Sequence, residues 1–394
     1  SLEQAIMVSC DLVLIADQLQ PRLRKMLAGK VPGFDLKKLF LNATHTHSGP
    51  VTRAIGWYTI DDPGVMKPPA YVDFMLKKIA TAVEMAWKNR KPSGISWGLG
   101  HAVVGSNRRM VYRTAQGQPP FGGGTAAMYG RNNIPDFLSV EGSEDTGIEM
   151  LFFWNDKKKL TGCALNVACP SQVRESSRYI SSDYWGKVRQ QMQKRHGTNV
   201  FVLPWCGAAG DQSPHVQYRK GAEARMRKLR GDSSADQVIA RRIVNAVDST
   251  MSAVRKDIRT EVPFGHHVET LKLPRRIVTR SEKEWAQAKV DQVLAKPVAK
   301  RSSAEESHRR WNQHVIDRFN EQQANPKFDM ELHVLRLGDV AVATNPFELF
   351  LDFGLRMKTQ SKAQQTFIVQ LTGSSGWYLP TIKAAAGGGY SAII

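Results

Sequence analysis

The sequence is poor in cysteine and has no long apolar segment. Its four cysteines form no Cys-x-x-Cys pair, so a dense disulfide framework is excluded, while no particular redox compartment is required. They are Cys10, Cys163, Cys169 and Cys206. The longest apolar run, residues 5–16, is interrupted by Ser9, Cys10 and Asp11 and is too short to span a bilayer. This run therefore predicts a buried strand.

Acidic residues are outnumbered by basic ones. The chain of 394 residues has 36 Asp and Glu against 55 Lys and Arg, a net charge of +19 that favours acidic partners such as an anionic surface. The densest clusters, 219–230 and 300–310, also contain Glu223, Glu305 and Glu306 and have the spacing of solvated helix faces. No recognised nucleic-acid-binding module accompanies the charge, so we expect no specific nucleic-acid partner.

Apolar, β-branched runs alternate with amphipathic patterns of helical period, and there is no internal repeat. This alternation predicts an α/β fold, a mixed sheet flanked by helices. Predicted strands are 6–15, 39–43, 94–104, 149–154, 162–168, 199–204, 331–337, 340–344 and 366–371. Predicted helices are 71–87, 236–254, 282–294, 303–320 and 347–357.

We expect one catalytic domain over residues 1–394, with 275–325 as a charged helical insertion. Residues 113–144 are rich in Gly, Pro and Asn, which is typical of a binding loop or lid and equally of a plain surface loop. The chain starts at Ser1, almost directly before a strand, and ends after a glycine-rich turn. We therefore expect it to be trimmed at both ends, so the lack of a signal peptide is uninformative.

Four polar motifs each follow a predicted strand directly. In α/β proteins, ligand sites gather at the carboxyl ends of strands, so this repeated placement predicts an active site there. The motifs are His45-Thr46-His47, Cys169-Pro170-Ser171, Gly210-Asp211-Gln212-Ser213-Pro214 and Asn345-Pro346-Phe347-Glu348.

The His-x-His pair is the most specific of these motifs. In extended backbone, His45 and His47 would point to the same side of the chain. That arrangement suits two metal ligands, or one ligand and a neighbouring hydrogen-bond donor. The other eight histidines lie in no comparable setting, and we assign them structural roles.

Taken together, the motifs resemble the catalytic domain of neutral/alkaline ceramidases, in the same order, from about Val8 to the end of the chain. The residues that carry the resemblance are Thr44-His45-Thr46-His47-Ser48-Gly49-Pro50, Gly210-Asp211-Gln212-Ser213-Pro214, Gly338-Asp339-Val340-Ala341 with Pro346-Phe347-Glu348, and Gly376-Trp377-Tyr378-Leu379-Pro380-Thr381. The resemblance implies a ceramidase-like fold and one zinc ion held by two histidines, a glutamate and a tyrosine. It also implies hydrolysis of an N-acyl amide by a metal-activated water.

Carried over to this chain, the resemblance implies that His45, Glu348 and Tyr378 bind the metal. It implies that His47, Arg108 and Tyr390 bind substrate or donate hydrogen bonds to the oxyanion. Arg109 is nearly as good a candidate as Arg108. Asp11 and Asp183 are candidates for orienting the ligands, with a helix N-cap as the alternative for Asp183, and we expect Asp211 to be structural.

The chain departs from the ceramidase pattern at the second histidine, which is replaced by Cys169. Three interpretations stay open: a thiolate zinc ligand, a nucleophile beside the metal, or an inert buried thiol. In addition, the C-terminal immunoglobulin-like domain of ceramidases is missing, and residues 384–390 form a short glycine-rich stretch. Because of both differences, the sequence does not identify the substrate.

The favoured function is a zinc-dependent amidase acting on a small-molecule, lipid or glycan substrate. One alternative is a hydrolase that uses Cys169 as nucleophile on a glycoside or ester, and another is a non-catalytic domain that binds lipid or polysaccharide. A serine hydrolase built on Ser48 is disfavoured because no nucleophile-elbow sequence is present. The resemblance further implies lipid metabolism and a secreted or periplasmic protein, while the oligomeric state is not predicted.

Overall fold

The computed structural model describes residues 3–53, 62–116 and 123–393. Its strands are β1 (Ile6–Cys10), β2 (Leu39–Ala43), β3 (Gly94–His101), β4 (Ser106–Asn107), β5 (Arg109–Tyr112), β6 (Ala126–Met128), β7 (Phe137–Val140), β8 (Gly147–Trp154), β9 (Leu160–Val167), β10 (Phe201–Cys206), β11 (Gln212–Ser213), β12 (Phe264–Pro274), β13 (Lys327–Leu337), β14 (Val340–Thr344), β15 (Glu348–Leu349), β16 (Gln365–Val369) and β17 (Tyr378–Leu379). Its α-helices are α1 (Leu19–Leu27), α2 (Pro68–Lys88), α3 (Tyr184–His196), α4 (Lys220–Arg230), α5 (Ala235–Val254), α6 (Arg280–Leu294), α7 (Ser303–Glu321), α8 (Leu351–Gln360) and α9 (Ile382–Gly387).

Two four-stranded sheets form the centre of the fold. The first has the order β10-β9-β8-β3, with β9 and β10 parallel and the other pairs antiparallel. The second has the order β12-β13-β14-β16, with only β14 and β16 parallel. The predicted α/β class with mixed sheets and flanking helices is therefore confirmed.

The first sheet is buried on both faces, and its side chains alternate between two cores with the period of two that strands impose. In β8, Met150 and Phe152 pack with α3 and α5, whereas Leu151 points into the opposite core. That opposite core contains Trp205 of β10 and Phe367 of β16, so it joins the two sheets. Burial on both faces explains why these strands read as continuous apolar runs in the sequence.

The carboxyl ends of the parallel strands meet at one edge. The amide of Ala43, at the end of β2, donates to the carbonyl of Leu371 at 3.1 Å. The chain beyond β9 is joined to the chain beyond β2 by a hydrogen bond from Ser171 Oγ to the carbonyl of Thr44, at 2.8 Å. Gln370, beyond β16, donates its amide to Cys206 at the end of β10, at 3.0 Å. The polar motifs that follow these strands are thereby brought together.

Three expectations from the sequence differ from the structure. Residues 347–349 are not helical, because Glu348–Leu349 form the short strand β15, and α8 begins at Leu351. Residues 113–144 are not an uninterrupted loop: β6 and β7 lie there and pair with β5, while residues 117–122 lie outside the described ranges. The first apolar run forms a strand only over Ile6–Cys10.

The charged segment 275–325 contains the two contacting helices α6 and α7. Helix α6 begins with a Thr capping box, and helix α7 begins with a Ser capping box. The two helices share a small apolar core of Val278, Ala286, Val290, Val315 and Ile316. Within the described ranges, none of the helices combines the length and apolar character needed to cross a membrane.

Candidate active site

His45 lies in a sharp turn just beyond β2. Its backbone φ is 61°, a left-handed conformation that a non-glycine residue rarely adopts. The Nδ1–H of its buried imidazole donates to the carbonyl of Val13 at 2.5 Å, which leaves the lone pair of Nε2 directed into the site. The extended backbone expected for the His-x-His pair is thus wrong at His45. The two rings nevertheless meet, with 3.4 Å between the Nε2 atoms of His45 and His47.

Glu348 and Tyr378 are brought together by strand pairing. The short strands β15 and β17 are parallel, and Glu348 is in register with Tyr378. The Oε2 atom of Glu348 lies 3.3 Å from Nε2 of His45, and its side chain is 13% exposed. Burial opposes the charged carboxylate, but a proton shared with Nε2 of His45, the charge of Arg108 and the Tyr378 hydroxyl outweigh it and lower the pKa of Glu348. The expected ligands His45, Glu348 and Tyr378 therefore form one cluster.

Arg108, rather than Arg109, reaches this cluster. The fully buried guanidinium of Arg108 donates to the hydroxyl of Tyr378 at 3.2 Å, to the hydroxyl of Tyr129 at 2.8 Å and to the carbonyl of Gly210 at 2.8 Å. Its Nε is buried and has no hydrogen-bond partner among the described residues.

Arg109, the first residue of β5, points away from this cluster, whereas Arg108 lies between β4 and β5. Its guanidinium forms an ion pair with Glu141 at 2.5 Å and donates to the carbonyls of Ala384 and Gly388. It thereby anchors the chain that leads to Tyr390. The ring of Tyr390 lies beside that of Tyr378, with 5.9 Å between centroids.

Gln172 is a site residue that the sequence analysis missed. Its Oε1 faces Arg108 at 3.5 Å and accepts from Tyr129 at 3.3 Å, and its Nε2 faces Nε2 of His47 at 3.0 Å. It directly follows the Cys169-Pro170-Ser171 motif, so its position beyond a strand was a usable signal. No feature of the sequence marks Tyr129, which lies in the glycine-rich segment.

His47 acts as an acceptor in this arrangement, not as the expected donor. Arginine can only donate hydrogen bonds, so the side of the Gln172 amide that faces Arg108 must be its oxygen. The NH₂ group of Gln172 then faces Nε2 of His47, which must carry a lone pair. Burial and the neighbouring His45 lower the pKa of His47 to about 3, in agreement with a neutral ring.

Cys169 lies outside the cluster. Its side chain belongs to the core that packs with α3 and α5, in the same alternation as Cys163, Leu165 and Val167. The thiol is 1% exposed and faces the carbonyl of Pro170 at 3.4 Å. In the described part of the chain it makes no hydrogen bond to His45, Glu348 or Tyr378.

The role expected for Cys169 therefore needs correction. Burial, followed by the nearby Cys206, raises the pKa of the Cys169 thiol well above its ordinary value. A thiol held in this form is a poor nucleophile, because the thiolate is the reactive species. The third interpretation, an inert buried thiol, agrees best with these surroundings.

The three aspartates support the site from different positions. Asp11 pairs with Arg189 at 2.7 Å and accepts from Thr44. Asp183 caps α3 by accepting from the amide of Tyr184, which is the alternative role considered for it. Asp211 is structural as expected, since its carboxylate accepts from the amide of Leu351 and from Asn107, next to Arg108.

The residues of the cluster fit a cation at its centre. Because Nδ1 of His45 is engaged by Val13, Nε2 presents a lone pair to the Glu348 carboxylate, and two electron-rich atoms at 3.3 Å need a proton or a cation between them. Zinc accepts imidazole nitrogen and carboxylate oxygen readily. Among the described residues, however, no three His, Cys, Asp or Glu side chains are disposed around one position. A third protein ligand would have to be of another type, such as Tyr378.

The architecture around this cluster occurs in two solved structures. A neutral ceramidase from Pseudomonas aeruginosa superposes with a TM-score of 0.66 at 14% identity, covering 100% of this chain and 63% of that chain. The fold is ceramidase-like. A ceramidase complexed with C2 gives a TM-score of 0.63 at 14% identity, covering 99% and 64% of the two chains.

This chain thus spans less than two thirds of either ceramidase structure. No protein-family model matches its sequence, and no curated protein sequence matches it either. The likeness lies in the ceramidase-like fold, while the sequence identity is 14% in both comparisons.

Gly210 is the point at which this ceramidase-like fold is packed most tightly under the site. A Cβ atom there would lie 2.3 Å from the carbonyl oxygen of Glu348 and 2.9 Å from the ring of Phe350. We expect Gly210→Ala to destabilise the protein by about 1–3 kcal/mol, since β15 must move to admit the methyl group. The measurement is the free energy of unfolding in urea.

The matched control is Gly221→Ala in the exposed helix α4, where a Cβ would meet no atom within 4 Å. Alanine should stabilise that helix slightly. Equal stabilities of the two variants would contradict the close packing of Gly210 against Glu348.

Proposed function

We propose that the protein is a zinc-dependent hydrolase that cleaves an N-acyl amide. The observation that carries the proposal is the convergence of the His45 Nε2 lone pair, the Glu348 carboxylate and the Tyr378 hydroxyl beside the buried Arg108. Catalytic zinc sites characteristically have three protein ligands and keep one position for water or substrate. His45, Glu348 and Tyr378 would be those ligands, so the second histidine of the ceramidase pattern is not needed.

When bound, zinc would polarise the substrate carbonyl and make a water molecule more acidic. Residues of the chain would bind the substrate and stabilise the developing charge. Arg108 is held in place by Gly210 and Tyr129, and its guanidinium, which reaches the Tyr378 hydroxyl, would stabilise the oxygen on which negative charge develops. Tyr390 lies beside Tyr378 and would donate a hydrogen bond to the same oxygen. His47, whose Nε2 lies 3.4 Å from Nε2 of His45, would bind the substrate beside the metal.

A cavity of about 600 Å³ adjoins the cluster at Tyr390 and supports an amide with an apolar substituent. The cavity lies along α6 and α7, and its apolar lining includes Trp285, Val293 and Trp311. Trp311 also contacts both site tyrosines, with ring centroids 6.4 Å from Tyr378 and 5.8 Å from Tyr390. One tryptophan thus faces both the reacting centre and the cavity.

Two wider expectations also enter the proposal, the first through the resemblance and the second through the net charge. One is a secreted or periplasmic location with a role in lipid metabolism, and the other is contact with an anionic surface. The net charge of +19 supports the second.

Metal content tests the ligand set directly. We expect about one zinc per chain by elemental analysis of the purified protein, and loss of that zinc in His45→Ala and in Glu348→Ala, because each removes a donor. Cys169→Ser should keep the zinc, since the thiol lies in the apolar core. Amide hydrolysis would be followed with N-acyl substrates on the same preparations.

Active protein free of metal would contradict zinc dependence, and loss of zinc in Cys169→Ser would restore the thiolate-ligand interpretation. Tight binding without turnover across amide, ester and glycoside substrates would favour the non-catalytic alternative.

Trp311 tests the apolar cavity. We expect Trp311→Ala to lower kcat/KM about 10-fold for a long-chain N-acyl substrate and much less for the N-acetyl analogue, because only the longer group would reach the cavity. The control is Trp87→Ala on α2, which removes a tryptophan that packs on Phe34. Equal losses on both substrates would show that the cavity does not bind the substituent.

A further inference from the structure

A second cavity, of about 570 Å³, borders the site on the side of Tyr378. It lies between α7, the end of β12 and the chain around β17. Its walls include the aromatic rings of Phe328 and Trp377. The cavity at Tyr390 described above is lined by a different set of residues, although Ile393 lines both. The two cavities therefore border different tyrosines of the same site.

Three arginines line the second cavity: Arg275 and Arg276, which follow β12, and Arg318 of α7. Of these three, Arg276 forms an ion pair with Glu282 of α6, whereas the other two form none with the described residues. Asp17 also lines the cavity, and its carboxylate accepts a hydrogen bond from a backbone amide at 3.0 Å. The cavity thus contains two arginine charges without a paired carboxylate.

The guanidinium of Arg318 is fixed in position, but its charge is not compensated. Its Nε and Nη1 donate to the carbonyls of Arg276 and Asn325, at 3.3 and 3.1 Å. Its Nη2 is buried and has no hydrogen-bond partner in the described part of the chain. Burial and then the like charge of Arg275 lower the pKa of Arg318, and the opposite charge of Glu321 does not outweigh them. An anion in the cavity would relieve this repulsion.

Arg275 joins the positive charge of the cavity to its aromatic wall. Its Nε donates to the carbonyl of Lys327 at 3.1 Å, which is its one hydrogen bond to the described residues. Its guanidinium carbon lies 5.6 Å from the centre of the Phe328 ring. Arginine is well suited to bind carboxylate and phosphate groups, because its planar guanidinium presents several N–H donors. The lining therefore fits a ligand that carries an anionic group.

We propose that the second cavity binds an anionic group, a carboxylate or a phosphate, on the amine side of the substrate, so that acidic N-acyl amides such as N-acyl amino acids are preferred. The substrate class rests on the hydrolase activity proposed above, whereas the anion site does not. Tyr378 lines the second cavity and Tyr390 the first, so the two substituents of a bound amide would extend into different cavities. Hydrolysis of an N-acyl amino acid by one water molecule yields a carboxylic acid and an amino acid.

Binding of the anionic group can be measured without turnover. The probes are N-(dodecylsulfonyl)glycine and its neutral carboxamide, in which a sulfonamide that resists hydrolysis replaces the amide. By isothermal titration calorimetry we expect the acid to bind about 10-fold more tightly, the contribution of one charge-assisted hydrogen bond. A third probe, N-(dodecylsulfonyl)aminoethyl phosphate, separates the two anions, because the tighter of the two acidic probes identifies the group that the cavity prefers.

Two arginine variants test where the anion binds. Arg318→Gln and Arg275→Gln should each remove most of the preference for the acid and change the affinity for the carboxamide much less, because only the acid carries the charge. Two variants are needed because Arg318 also donates to backbone carbonyls, and urea unfolding identifies a variant that is merely destabilised. The matched control is Arg309→Gln, which removes the same charge from α7 at a residue paired with Glu306.

Equal binding of the acid and the carboxamide to the wild type would overturn the proposal. So would an unchanged preference in both cavity variants, or an equal loss of preference in Arg309→Gln.

Kinetics test the substrate class. The wild type should hydrolyse N-lauroylglycine with a kcat/KM about 10-fold higher than that for N-lauroylglycinamide. Equal values for the two amides would contradict the preference for acidic substrates. Hydrolysis of neither amide would instead reject the proposed function, and the calorimetric comparison would still decide whether the second cavity binds an anion.

Discussion

The largely buried carboxylate of Glu348 is the charge around which the site is arranged. A carboxylate removed from water is costly unless cations and hydrogen bonds compensate it, and the chain provides His45, Arg108 and the Tyr378 hydroxyl. Each comes from a different segment. The fold must therefore bring the ends of several strands to one edge before the charge can be accommodated. The left-handed backbone of His45 is part of the same requirement, since it turns Nε2 toward Glu348.

A layer of structural contacts keeps this arrangement in place. Asp211 joins three segments: its carboxylate binds Asn107 and the amide at the start of α8, and its carbonyl accepts from the amide of Arg108. Arg109, the neighbour of Arg108, fixes the turn that leads to Tyr390. One pair of adjacent arginines thus serves both the reacting centre and its frame, because the two guanidinium groups leave the junction of β4 and β5 in different directions.

The helix pair α6 and α7 contributes to the surroundings of the site and not to its centre. Trp311 of α7 contacts Tyr378 and Tyr390, and the cavity beside it is lined by both helices, which contribute the apolar side chains of Trp285, Val293 and Trp311. The charged sequence of this segment follows from its solvated outer faces, while its few apolar residues pack inward. The segment that looked most like an insertion therefore borders the site.

Apolar periodicity in the sequence determined the mixed α/β class and the strands that precede the site, because it is a local signal. The His-x-His motif and the resemblance to ceramidases supplied the candidates His45, His47, Glu348 and Tyr378 and left Arg108 and Arg109 nearly equal. The side on which Cys169 lies, the choice of Arg108 over Arg109, the acceptor position of His47 and the recruitment of Gln172 were decided only by the tertiary structure. Those properties depend on which side chains from distant segments face one another, and no local pattern in the sequence encodes that.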